Sequence, residues 1–187
     1  MKVIAFVIIG LFLITSCRDE SSTESNAVDT YAMEPSDYDE KYLEANNAID
    51  NRDFQGAKKI YLELIELDAE RADPYVGLAC TYSLLEQNDS AKSLYEKAYV
   101  IDDKNLGAIV GLGSIAYLDT EYKLALKYYK DAHQKYPDDA SSIWGLAISY
   151  EGMGNTKEAI RYAEVIVNEH PDYYLFENAK DFVKQYK

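Results

Sequence analysis

Alanine recurs at Ala57, Ala91, Ala125 and Ala159, thirty-four residues apart each time. Four residues after the first three stand Tyr61, Tyr95 and Tyr129. A fixed period of this length marks an array of helical repeats, each of which buries its apolar face only against its neighbours. The chain divides without insertion or deletion into blocks 38–71, 72–105, 106–139 and 140–173, with a remainder of 174–187. Each block holds two helical stretches parted by a polar break: Asn51-Arg52-Asp53, Gln87-Asn88-Asp89, Asp119-Thr120-Glu121 and Gly154-Asn155-Thr156. Asp73-Pro74 starts a helix, Pro137 and Pro171 end others, and no stretch alternates like a strand. The expected fold is all-α: a right-handed α-solenoid of four helix pairs. Leu175, Ala179, Phe182, Val183 and Tyr186, at helical spacing, form a capping helix over 174–187.

Within the blocks the residue types follow one template. Block two has Tyr75, Leu78, Ala79, Tyr82, Ala91 and Tyr95; block three has Ile109, Leu112, Gly113, Ala116, Ala125, Tyr129 and Pro137. Block four has Ile143, Leu146, Ala147, Tyr150, Ala159 and Pro171, with Ala163 where the template has an aromatic. Block one is degenerate, with Lys41 and Glu44 at apolar positions, as suits a cap. This pattern resembles the tetratricopeptide repeat over about four fifths of the chain. Its chemistry is packing: small residues at Ala45, Ala79, Gly113 and Ala147 bring paired helices close, and Leu78, Leu112 and Leu146 fill the seam.

The first sixteen residues read differently. Lys2 precedes an unbroken apolar run from Val3 to Ile14, too short for a membrane span of about 20 residues and suited to a secretory leader. The run ends in Ile14-Thr15-Ser16-Cys17, which resembles a bacterial lipobox. That resemblance makes 1–16 a lipoprotein signal peptide and Cys17 the lipidated (palmitate-bearing) N-terminus of the mature chain, lodged in an envelope membrane. Residues 17–37 follow as an acidic, disordered tether, with six acids and one base between Arg18 and Asp37. The acids beside Cys17 resemble a surface-export signal of bacterial lipoproteins. The expected location is thus the cell envelope, by the resemblance the outer membrane, on its periplasmic side or the cell surface. Cys80, mid-helix, reads as a small packed hydrophobe without a disulfide partner, because lipidation takes Cys17.

Charge and motif spacing exclude several functions. Lys and Arg number 19 against 33 Asp and Glu, a formal net charge of −14, which argues against nucleic acid. His133 and His170 are far apart and no cysteine pair exists, so no metal or cofactor is expected. Gly111-Leu112-Gly113-Ser114-Ile115-Ala116 matches a dinucleotide-binding spacing, but it lies inside a helical stretch at positions that favour small side chains. No catalytic constellation is visible, so the chain is read as not an enzyme. Asp89-Ser90-Ala91 resembles a bacterial O-glycosylation acceptor triplet on an inter-helix turn.

The resemblance also supplies a binding surface. In tetratricopeptide arrays the second, fifth, ninth, twelfth and thirteenth positions of each first helix line the concave groove. Carried onto this chain, the apolar members are Tyr42, Val76, Leu84, Val110, Tyr117, Leu118, Trp144 and Ile148. The first helices of blocks two to four contain no Lys or Arg, so the basic clamp that grips acidic C-termini is missing. The expected function is a membrane-anchored scaffold of the cell envelope that holds a protein or peptide in an apolar groove. The alternatives are an assembly factor for outer-membrane proteins or pili and an accessory subunit of an envelope enzyme.

Overall fold

A computed structural model describes residues 37–186. Cys17, the leader and nearly all of the acidic tether lie outside the described residues. Within them the chain forms α1 (Asp37–Asp50), α2 (Phe54–Leu67), α3 (Asp73–Leu84), α4 (Asn88–Ile101), α5 (Leu106–Leu118), α6 (Tyr122–Lys135), α7 (Ala140–Gly152), α8 (Thr156–Glu169) and α9 (Phe176–Tyr186). No strand occurs among the described residues. The helices pair as α1/α2, α3/α4, α5/α6 and α7/α8, each pair stacks on the next, and α9 closes the array against α8. The expected solenoid and cap are present. Helix boundaries fall within two residues of the sequence breaks, except that Asp73 opens α3 itself and Ala72 precedes it as the cap.

The turn inside each pair repeats its backbone geometry. Arg52, Glu86, Thr120 and Gly154, again thirty-four residues apart, all have positive φ, from 60° to 75°. The next amide reaches back five residues in every case: Asp53 to Ala48, Gln87 to Tyr82, Glu121 to Ala116 and Asn155 to Tyr150. This is the left-handed helix stop that satisfies the last free carbonyls. Only Gly154 adopts it without steric cost; the three others store strain of about 1 kcal/mol each.

The alanine ladder is the seam. Ala57, Ala91, Ala125 and Ala159 are all fully buried, and so are Ala45, Ala79 and Ala147 from the facing helices. First and second helices play different parts. From Ile109 to Ala116 every residue of α5 is buried, and from Ser142 to Ser149 every residue of α7. The second helices are one-sided, and α2, α4, α6 and α8 each bury only three residues at helical spacing. The first helices are therefore the core of the solenoid and the second helices its outer skin.

A tyrosine–glycine joint fixes each repeat to the next. A Cβ placed on Gly77 would lie 2.3 Å from the Tyr61 ring, on Gly111 2.4 Å from Tyr95, and on Gly145 2.3 Å from Tyr129. Each tyrosine thus presses into the bare backbone of the following first helix, an approach only glycine permits. All three rings are fully buried. Their hydroxyls turn back to the ninth position of their own repeat. Tyr61 Oη donates to Asn46 Oδ1 at 2.5 Å, while Tyr95 Oη lies 3.1 Å from Cys80 Sγ and Tyr129 Oη 2.9 Å from Ser114 Oγ. A buried hydroxyl needs such a partner, because desolvating it unpaired costs about 1–3 kcal/mol.

The fourth repeat drops both halves of this arrangement together. Ala163 replaces the tyrosine and Ile148 the polar ninth residue, so no orphan hydroxyl is created. The cap takes up the vacated volume. Leu175 and Ala179 bury fully in the same core cluster as Ala163, Ile166, Trp144 and Ile148.

Candidate functional site

The eight groove residues inferred from the sequence do not form one open strip. Val76 (6% exposed), Val110 (1%), Trp144 (1%) and Ile148 (7%) are buried. Tyr42, Leu84, Tyr117 and Leu118 are half-buried. They also divide among clusters. Val110, Trp144 and Ile148 belong to one core with Tyr117 packed on it, Val76 to a second with Leu118, and Tyr42 and Leu84 pack on a third.

Trp144 shows one physical reason. Phe182 of the cap helix meets its indole edge-to-face, with ring centroids 6.2 Å apart. Phe182 in turn packs on Tyr186, whose hydroxyl donates to Glu151 Oε1 at 3.3 Å. The cap therefore covers the last repeat's share of the groove list. The indole Nε1 is buried without a hydrogen-bond partner among the described residues.

What stays accessible is a rim at the ends of the first helices. Leu84 ends α3, Tyr117 and Leu118 end α5, and Glu151 and Gly152 end α7, all half-buried and all at the same repeat positions. Tyr117 is the best-defined member. Its ring packs on Tyr122 at 5.4 Å, and Tyr122 lies so close to Gly152 that an added Cβ would sit 2.6 Å from the ring. Burial, and after it the neighbouring Glu151 carboxylate, pushes the Tyr117 phenol up to about 12. It stays protonated and can donate a hydrogen bond at any physiological pH.

The electrostatics agree with the sequence. α3, α5 and α7 carry no Lys or Arg, and their only charged residues are Asp73 and Glu151. Asp73 is tied to the residue that caps α5, accepting from Asn105 Nδ2 at 2.9 Å. A partner would meet an apolar, slightly acidic rim.

Other sequence candidates have structural places. Gly111 and Gly113 lie mid-helix in α5, where both face tyrosine rings, so the dinucleotide-like spacing serves packing. Ser90 is exposed in the first turn of α4, beside the fully buried Ala91. Cys80 is fully buried as expected, with its sulfur 3.1 Å from Tyr95 Oη. Among the described residues no group of three or more His, Cys, Asp or Glu is placed to hold a metal, and no helix is long and apolar enough to cross a membrane. The glycine sockets at 77, 111 and 145 do not follow from the single-repeat template; their thirty-four-residue spacing is the signal the sequence carries for them.

Comparison with known proteins points the same way. Tetratricopeptide repeat models match residues 72–105 and 116–176. A thermophilic repeat protein of Thermus thermophilus superposes with a TM-score of 0.71 at 17% identity, covering 81% of this chain and 84% of that one. The pilF protein of Pseudomonas aeruginosa superposes with a TM-score of 0.66 at 19% identity, covering 79% and 75%. Anaphase-promoting complex subunit 7 of Arabidopsis thaliana is 28% identical over 121 residues, or 64% of this chain. The chain spans about a fifth of that relative's length, 21%.

Proposed function

Because this chain carries tetratricopeptide repeats, a fold that generally binds proteins or peptides, we propose that it is an interaction scaffold whose partner docks on the first-helix rim. The reading rests on one observation above the others: a half-buried apolar edge, Leu84, Tyr117 and Leu118, on helices without a single base. Such a surface suits a hydrophobic helix or extended peptide and disfavours an anionic tail. Tyr117 adds a protonated hydroxyl for a backbone carbonyl. A photo-reactive residue placed at Leu84 or Leu118 should crosslink one defined protein in native membranes. Crosslinks obtained instead from α4 or α8 positions, and none from the rim, would refute the groove assignment.

The anchor belongs to the same proposal. Ile14-Thr15-Ser16-Cys17 supports cleavage before Cys17 and its acylation, which would hold the repeats at a bacterial envelope membrane. Cys17→Ala should release the protein from membranes and abolish palmitate labelling; unchanged membrane association would rule the anchor out. Acylation would occupy the Cys17 sulfur, so an intact mass also decides between a lipid and a disulfide at the two cysteines of this chain.

A second reading is an assembly factor for outer-membrane proteins or pili, favoured by the likeness in fold to the pilF protein. Recovery of a β-barrel or secretin as the rim-crosslinked partner would support it. An accessory subunit of an envelope enzyme is the third reading, since one structural neighbour is an O-GlcNAc transferase of Thermobaculum terrenum.

A further inference from the structure

One outer flank of this acidic chain is locally basic. Among the described helices only α6 has more bases than acids: Lys123, Lys127, Lys130 and Lys135 against Asp131. Lys135 is already paired with Asp131 at 2.8 Å. Lys123, Lys127 and Lys130 are exposed, follow one helix stripe and make no ion pair with another described residue. The solenoid then places matching positions of the next repeat beside them. Lys157 and Arg161 of α8 stand thirty-four residues after Lys123 and Lys127, both exposed, and of the two only Arg161 is paired within the described residues, with Glu158 at 2.8 Å. Glu121 precedes α6, and Glu164, thirty-four residues after Lys130, sets an acid beside it. Between α6 and α8 the bases without a neighbouring acid at the matching position, apart from the paired Arg161, are therefore Lys123, Lys127 and Lys157. Uncompensated like charges this close repel one another, so an anionic occupant relieves a cost the fold itself carries.

We propose that the occupant is the chain's own acidic segment ahead of α1, through Asp19, Glu20 and Glu24. Charge complementarity is the first argument: residues 18–36 hold five acids and one base, Arg18. Reach is the second. The start of α1 and the start of α6 lie at opposite ends of their helices, about 21 Å apart along the axis, and two repeats apart along the stack, together roughly 30 Å. Glu24 is thirteen residues from Asp37 and Asp19 eighteen, which when extended span at most roughly 45 and 60 Å. Glu34 is too near α1 to arrive. Tethering is the third argument, because it makes the encounter intramolecular, at an effective concentration in the millimolar range. An anionic bilayer is a poorer occupant, since it would repel a chain of formal charge −14. This inference stands apart from the rim and from the anchor.

Zero-length carbodiimide crosslinking of the purified full chain at low concentration tests it, with linked peptides mapped by mass spectrometry. The expected result is amide links from Lys123, Lys127 or Lys157 to Asp19, Glu20 or Glu24 within monomers. They should be at least fivefold more frequent than links from those acids to the outer-face Lys58, Lys59 or Lys97, and largely lost in high salt. Lys123→Glu, Lys127→Glu and Lys157→Glu together, all at exposed sites, should remove them without changing the circular dichroism. Links spread evenly over all exposed lysines, or found only between chains, would overturn the proposal, as would preferential links from these lysines to another acidic segment.

Discussion

The first three repeats and the fourth solve the same packing problem in different ways. In the first three, a tyrosine fills a glycine socket on the next repeat and its hydroxyl returns to Asn46, Cys80 or Ser114. In the fourth there is no next repeat. Tyrosine and polar partner give way to Ala163 and Ile148, and α9 packs Leu175 and Ala179 into the space. The start of the array is closed by the same logic, since Leu43 occupies the glycine position of repeat one and is 59% exposed. The joint therefore marks which faces can stack. It also separates the part of the concave face under the cap from the part that stays accessible.

The comparison breaks most easily at the cap. Trp144→Ala removes the largest fully buried side chain and should cost about 4 kcal/mol, read by chemical denaturation. The joints come next. Gly145→Ala drives a Cβ into the Tyr129 ring and should cost about 3 kcal/mol, whereas Gly154→Ala, with nothing within 4 Å but a φ of 75°, should cost about 1 kcal/mol. Equal effects would deny the socket.

Tyr129→Phe should cost about 1 kcal/mol and, with Ser114→Ala, show coupling in a double-mutant cycle. It should also flatten the alkaline limb of stability. Burial raises the phenols of Tyr117, Tyr129 and Tyr173 above the unfolded value near 10, that of Tyr117 to about 12. The unfolded chain thus loses these protons first. Stability should be level with respect to them below pH 10 and fall from pH 10 to 12. A melting temperature that rises across that window would contradict this assignment.

The period of thirty-four made the array, its blocks and its alanine seam legible in the sequence, because helical stacking repeats with fixed geometry. Three things were not legible. The left-handed turns at Arg52, Glu86 and Thr120 carry no glycine, so only Gly154 advertised a helix stop. The sockets were hidden because Gly77, Gly111 and Gly145 meet residues of the preceding repeat, a contact that a single-block template does not show. The cover over Trp144 depends on where α9 folds back, and amphipathic spacing gives that helix's inner face but not its destination. Of the candidate site, the charge pattern was readable throughout. The accessible positions shrink to the rim because burial is a property of the assembled stack.

Trp144 is the one tryptophan in the chain, so its emission reports the cap directly. In the intact protein the emission should be blue-shifted and insensitive to acrylamide. A Phe182→Asp variant should shift to the red and quench readily. An intact protein whose tryptophan is already solvated and quenchable would contradict the cap, and with it the restriction of the partner surface to the rim.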